Sequence, residues 1–426
     1  MIGTRLLVLL LLLGLGGWAS AQGGAQAGKA NQASKDVRLS TELERCNSGS
    51  PDESIEACSV LLQSGKLAGA NAAVAHLNRG NAYLRKGDSD RAFADYGEAI
   101  SLDPDFADAY YNRGMIHFRA RRLGQAIGDF NRALAKKPDF VLAHFNRGLA
   151  FAQRGRYDLA LPDFDRVVEL APRAINAYTE RAKVHFAAGR KDLALADFDR
   201  ALELAPKDRE ARALRGVFFL QTSEYGRALQ DFTRVIELGP EDATTLYRRG
   251  IAYAGLHRNE DAIRDYDAAI RLEPAHAIVY VKRAISYDAL GKLEAAVADL
   301  GEAIRLEPGN AGFFNSRCWA LARLGRAEAA LRDCDESLRL KPDVADTLDS
   351  RAYAHFRAGR LDAAARDYDA ALERDPRLPM SLWGRGVLRQ MRHDSAGAQA
   401  DFAAARRLDA EIDLRAGKIG LVAPGS

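Results

Sequence analysis

The stretch "VLAHFNRGLAFAQRGRYDLALPDFDRVVELAPRA", residues 141–174, decides how this chain folds. His144, Gly148 and Phe151 stand at the 3-and-4 spacing of one helix face. Ala160, Phe164, Val167 and Val168 repeat that spacing further on. Gly155 lies between the two runs, where glycine ends a helix by adopting a left-handed conformation. Pro172 closes the second run. The segment therefore reads as helix, glycine turn, helix, proline loop.

The same arrangement extends in both directions. Pro104, Pro138, Pro172, Pro206, Pro240, Pro274, Pro308, Pro342 and Pro376 follow one another at 34 residues. A fixed period of this length marks stacked helical repeats, none able to bury its apolar face alone. With each proline in slot 32, ten repeats start at Ala73, Ala107, Val141, Ile175, Arg209, Ala243, Ala277, Ala311, Ala345 and Pro379. Slot 20 is alanine in all ten, slot 8 is mostly Gly or Ala, and slot 24 is mostly aromatic. Slot 15 is glycine in six repeats and Arg121, Ser223, His257 or His393 in the others.

This pattern resembles the tetratricopeptide repeat. That family has a large residue at slot 4, Gly or Ala at 8, an aromatic at 11, Ala at 20, an aromatic at 24, Ala at 27 and Pro at 32. The resemblance covers residues 73–412 and implies an all-α, right-handed α-solenoid of about ten helix-turn-helix repeats. It implies little about function, because such solenoids serve many partners. An exported chain with these repeats is similar to bacterial periplasmic repeat proteins.

One departure from the family pattern is systematic. Slot 7, usually apolar, is arginine in every repeat, and slot 23 is aspartate in every repeat. Antiparallel helices that pair slot 8 with slot 24 bring slot 7 to slot 23. The expected product is a structural ion-pair ladder that includes Arg113 with Asp129, Arg147 with Asp163 and Arg181 with Asp197. Arg147 is also expected to reach back to Asp129 of the preceding repeat. Since each arginine has a matched acid, a structural role is favoured over anion binding.

Chemistry-bearing motifs are missing. The chain has no HExxH, GxSxG, GxxxxGK[ST] or CxxC. His76 and His144 fall in slot 4, and His117, His185 and His355 in slot 11, which are packing slots. No enzyme activity, metal site or cofactor is expected. A net charge of +3 gives no basic field for nucleic acid.

Four cysteines remain. Cys318 and Cys334 replace the small residue of slot 8 and the aromatic of slot 24 in one repeat, slots that should touch. They suggest a disulfide rather than two buried thiols, and Cys46–Cys58 would close an N-terminal cap. In that cap, Asp52 or Ser54 is the expected start of a helix running to Gln63.

Arg5, the apolar run Leu6–Gly17 and "ASA" at Ala19–Ala21 read as a secretory signal. The expected organisation is a signal peptide over 1–21, a mobile segment over 22–45, a cap over 46–72, the repeats over 73–412 and a C-terminal cap over 413–426. Within that last cap, Leu414 and Ile419 are expected to cover the final helix. Cleavage would leave an exported, periplasmic or secreted chain with no membrane span.

The resemblance implies that first helices line a concave face, with slots 2, 5, 6, 9 and 12 pointing into it. Asn78, Asn112 and Asn146 occupy slot 6 of three successive repeats, like the asparagine ladder of peptide-binding superhelices. Asn81, Tyr111, Phe145, Lys183 and Tyr247 occupy nearby groove slots, and Trp319, Tyr353 and Trp383 lie farther along. Amides donate and accept, which suits an extended backbone. The lysines of the chaperone-tail carboxylate clamp known in some relatives are absent from slots 2 and 5. The expected function is a scaffold that holds a peptide segment or partner protein in the cell envelope. A glycan or small-ligand binder using the groove aromatics, as an enzyme or its accessory subunit, is one alternative. A self-associating structural protein is another.

Overall fold

The computed structural model of the protein describes residues 39–422. The expected signal peptide, most of the segment that follows it and the last four residues lie outside the described residues. Among the described residues the fold is all-helical, and it divides into two compact units, Met1–Gly189 and Arg190–Ser426. The N-terminal unit holds α1 (39–48), α2 (Pro51–Gln63), α3 (Gly69–Arg85), α4 (Ser89–Leu102), α5 (Ala107–Arg119), α6 (Leu123–Lys136), α7 (Val141–Gln153), α8 (Tyr157–Leu170) and α9 (Ile175–Ala187). The C-terminal unit begins with α10 (Lys191–Leu204), α11 (Arg209–Gln221), α12 (Tyr225–Glu237), α13 (Ala243–Gly255), α14 (Asn259–Leu272), α15 (Ala277–Ala289) and α16 (Leu293–Leu306). It continues with α17 (Ala311–Arg323), α18 (Ala327–Leu340), α19 (Ala345–Arg357), α20 (Leu361–Arg374), α21 (Pro379–Met391), α22 (Ser395–Leu408) and α23 (Ile412–Lys418).

Each unit is a stack of helix pairs, and the repeat positions explain how a pair closes. All ten slot-20 alanines, Ala92 through Ala398, are buried. A methyl there lets the two helices approach until a slot-24 ring packs directly against slot 8. A Cβ on Gly148 would stand 3.1 Å from the Phe164 ring, and one on Gly250 only 2.5 Å from that of Tyr266. Burying each such ring contributes roughly 1.5–3 kcal/mol. The turn between paired helices is uniform: all ten slot-15 residues have positive φ, Arg121, Ser223, His257 and His393 included. Pairing geometry thus dictates the backbone even where the residue type resists it.

The ends differ from the expected caps. Ser50, not Asp52 or Ser54, starts α2. Its hydroxyl accepts from the Glu53 amide, and the Glu53 carboxylate accepts from the Ser50 amide at 2.9 Å. This is a reciprocal capping box, possible because Glu53 stands three residues on. Ser54 instead donates to the carbonyls of Gly49 and Arg45. A disulfide joins Cys46 of α1 to Cys58 of α2, and both residues are buried. At the other end Leu414 is 58% exposed, while Ile412, Ala416 and Leu421 are buried. The helix phase of α23 turns those residues inward and Leu414 out. Ile419 packs half-buried on the same cluster.

Candidate functional site

The arginine of each repeat is held on two sides. Nine intra-repeat pairs, from Arg79–Asp95 to Arg385–Asp401, are bidentate: Nε donates to Oδ2 at 2.7–2.9 Å and Nη2 to Oδ1 at 2.6–2.8 Å. Arg113–Asp129 and Arg147–Asp163 belong to this set. The aspartates are buried, and Asp163 is 2% exposed. Burial alone would raise the Asp95 carboxyl, but hydrogen bonds from Arg79 and His76 hold it below the usual range.

The link to the preceding repeat is not the expected one. Arg147 Nη1 donates to Asn131 Oδ1 at 2.6 Å rather than to Asp129. Arg181, Arg215, Arg283, Arg351 and Arg385 do the same to Asp165, Asp199, Asp267, Asp335 and Asp369. Slot 25, not slot 23, carries the contact between repeats. Two residues turn a helix by about 200°. Slot 23 therefore faces its own first helix, and slot 25 faces the next repeat. Arg181 and Asp197 fall in different units. Asp197 is buried within its own unit. His144 adds to the ladder in a way its packing slot did not suggest: Nδ1 faces Asp163 Oδ1 at 2.8 Å and Nε2 faces the Pro138 carbonyl at 2.9 Å.

The first-helix face of the N-terminal unit carries the candidate binding residues, and their amides are joined to one another. Asn78 Nδ2 donates to Asn47 Oδ1 at 2.7 Å. Asn81 Oδ1 accepts from Tyr96 Oη at 2.7 Å and from Asn112 Nδ2 at 2.9 Å. Asn146 is buried, and its Nδ2 donates to Tyr111 Oη and to the Leu142 carbonyl. Asn78, Asn81 and Asn112 remain partly exposed. Tyr111 leans on Phe130 and Phe140, and Phe145 meets Phe164 edge-on. Burial raises the Tyr111 hydroxyl, while the Arg119 guanidinium acts in the opposite direction. Lys183 is exposed and reaches Glu180 at 2.5 Å.

Where α1, α3 and α5 meet, a cleft of about 480 Å³ opens, lined by Cys46, Asn47, Asn78, Asn81, Leu84, Arg85 and Arg119. Asn78 and Asn81 were expected to face a groove. Arg85 and Arg119 were missed. Both stand in slot 13, one helical turn beyond slot 9, and that i, i+4 relation was legible.

In the C-terminal unit two of the groove residues, Trp383 and Tyr353, are covered by the chain itself. Trp383 Nε1 donates to the Leu421 carbonyl at 2.8 Å, and Tyr353 Oη donates to the Ile419 carbonyl at 2.6 Å. Both rings are buried, and Trp319 packs against Tyr353 with centroids 5.1 Å apart. Tyr247 is half-buried between Tyr266 and His276, and burial raises its hydroxyl. A second disulfide joins Cys318 to Cys334 across slots 8 and 24 of one repeat. Among the described residues no cluster of His, Cys, Asp and Glu is arranged to hold a metal ion.

A family profile described as "Tetratricopeptide repeat" matches residues 77–139, 119–175, 179–243 and 281–345, and a second of the same description matches 243–276. Together they span more than half of the chain. No curated protein matches. Among solved structures, a tetratricopeptide repeat protein from Parabacteroides merdae shares 22% identity at a TM-score of 0.45, covering 55% of this chain and 92% of its own. The C-terminal part of a repeat-containing protein from Cytophaga hutchinsonii shares 20% identity at 0.48, covering 56% of this chain and 98% of its own. YrrB, described as a TPR protein with an unusual peptide-binding site, shares 24% at 0.37, covering 43% of this chain and 95% of its own.

Proposed function

We propose a function from an established premise: the chain belongs to the tetratricopeptide repeat family. The coarse role that follows is a scaffold for protein–protein interaction. The finer reading is that the N-terminal unit binds an extended peptide segment, or such a segment of a partner protein, on its first-helix face. It acts without catalysis, in an exported chain of the cell envelope.

One observation carries this reading. Asn78, Asn81, Tyr111, Asn112 and Phe145 lie on consecutive first helices, partly exposed. Cross-helix hydrogen bonds hold the amides in place, so a ligand meets polar groups already ordered. The signal-like Leu6–Gly17 and the two disulfides support export. No helix of the described residues is long and apolar enough to cross a membrane. The glycan alternative is less well supported, since Tyr353 and Trp383 are buried under the chain's own C-terminal segment.

The test is capture of partners from an envelope extract by the full protein and by a Tyr111→Ala/Asn112→Ala variant with unchanged helical circular dichroism. A partner set lost with the variant is expected. An unchanged set would remove this face from consideration.

A further inference from the structure

The cleft between α1, α3 and α5 presents hydrogen-bond donors in excess. Asn81 Oδ1 is already shared by Tyr96 and Asn112, so its NH2 group is the part left over. Asn47 Oδ1 accepts from Asn78, which likewise leaves the Asn47 NH2 group. Tyr111 Oη accepts from Asn146, and its own O–H remains to donate. Asn78 Oδ1 is the main acceptor left on the lining.

The two arginines are the sharper sign. Four repeats carry arginine in slot 13. In the C-terminal unit both are engaged by the protein itself: Arg323 pairs with Asp288, and Arg357, without an acid, donates to Tyr353 Oη at 3.0 Å. The ladder arginines have their aspartates. Arg85 and Arg119 line the cleft, are exposed and have no ion-pair partner among the described residues. Other arginines among the described residues also lack an acid, but Arg85 and Arg119 line one cleft beside the spare NH2 groups of Asn47 and Asn81, and this gathering of donors marks a place where the acid comes from outside.

We infer that this cleft binds side-chain carboxylates of an extended acidic peptide, with Arg85 and Arg119 as the recognising groups and Asn81 and Asn47 as neutral donors beside them. This deepens the peptide-binding reading above and rests on it. A peptide is favoured over a small ion because the face continues from the cleft over Tyr111, Phe145 and Leu149, half-buried apolar surface that an ion leaves unused. Asn78 Oδ1 suits a backbone N–H of the same peptide. The site differs from a lysine clamp in slots 2 and 5, since its cations sit in slot 13 at the far end of the first helices.

The experiment uses the full mature protein and a positional-scanning library of hexapeptides, N-acetylated and C-amidated, with a parallel set bearing free C-termini. Selection for Asp or Glu at internal positions is expected. Arg85→Ala/Arg119→Ala should weaken binding of the selected peptides roughly tenfold or more, and Arg166→Ala, on the exposed face of α8, should not. The Lys/Lys variant should recover part of the loss. Binders with no acidic preference that still need Tyr111 and Asn112 would overturn the carboxylate assignment and leave the peptide reading standing. Preference confined to a free C-terminus, or saturation by inorganic phosphate without acidic-peptide binding, would also overturn it. If no hexapeptide binds, both readings fall.

Discussion

Replacing Asp163 by asparagine tests whether the arginine ladder holds the repeats together. Asp163 accepts from Arg147 Nε at 2.8 Å and Nη2 at 2.6 Å, and faces His144 Nδ1 at 2.8 Å. Its side chain is 3% exposed and that of Arg147 is 22% exposed. Asparagine keeps one acceptor and turns an NH2 group toward at least one guanidinium donor. Breaking a fully buried pair costs about 3–5 kcal/mol. Arg147 keeps Asn131 and an edge on water, so about 3 kcal/mol is expected. Repeat stability is a sum of local terms, so the loss should appear locally. In native-state hydrogen exchange, amides of α7 and α8 should exchange roughly a hundredfold faster, with little change in α13 to α22.

A control lies two residues away. Asp165 pairs with Arg181 Nη1 at 2.7 Å, a similar distance, but its side chain is 52% exposed. Asp165→Asn should cost under about 1 kcal/mol. Equal effects from both substitutions, or less than threefold faster exchange in the Asp163 variant, would refute the reasoning that burial gives the ladder its weight. Arg147→Met/Asp163→Leu should recover much of the loss, since removing both charges leaves none uncompensated.

Reduction of Cys318–Cys334, or Cys318→Ala/Cys334→Ala, should destabilise α17 and α18 by about 3 kcal/mol, seen as local exchange; mass spectrometry with and without reductant should find four thiols only after reduction. Gly250→Ala drives a Cβ to 2.5 Å from the Tyr266 ring and should cost about 1–3 kcal/mol, whereas Gly97→Ala, inside α4 with open space around its Cα, should gain about 0.5–1 kcal/mol in urea titration. Asp349 receives a 2.5 Å hydrogen bond from Ser381, and burial pushes its carboxyl from 3.8 up to about 6. The native state keeps that proton through a window where the unfolded chain has lost it, so stability falls as pH rises from about 4 to 6 and stays lower above; Asp349→Asn should flatten this profile and stabilise by up to about 3 kcal/mol at pH 7, less as water reaches the group.

The fold was legible because its period is strict and its slots are chemically distinct. Alanine at slot 20 and glycine at slot 8 name the close approach, and Cys318 with Cys334 name the same contact a second way. The Arg147–Asp163 pair was legible for the same reason. Its neighbour was not: the period says which helices adjoin, but rotation about the helix axis chooses Asn131 over Asp129. The candidate site was legible by slot and not by state. Asn146 stands in the expected slot yet is buried against Tyr111, because a bulky ring in slot 5 of one repeat reaches slot 6 of the next. Trp383 and Tyr353 also stand in groove slots. What covers them is Ile419 to Leu421, beyond the last repeat, where no periodicity signals where the chain turns.

The two roles of arginine in this chain separate by what already surrounds each one. A slot-7 guanidinium such as Arg147 has Nε and Nη2 on its own aspartate and Nη1 on the preceding repeat. A ligand carboxylate would have to displace a buried, bidentate partner, at a cost no exposed contact offsets. The conspicuous, invariant arginine is thereby removed from recognition. A slot-13 guanidinium such as Arg119 lies on the same helices, exposed, beside ordered amides and with no acid of its own. Binding there needs no internal bond to break. Nine repeats can therefore share one register device, while two of them carry a ligand site through slots that the register leaves open.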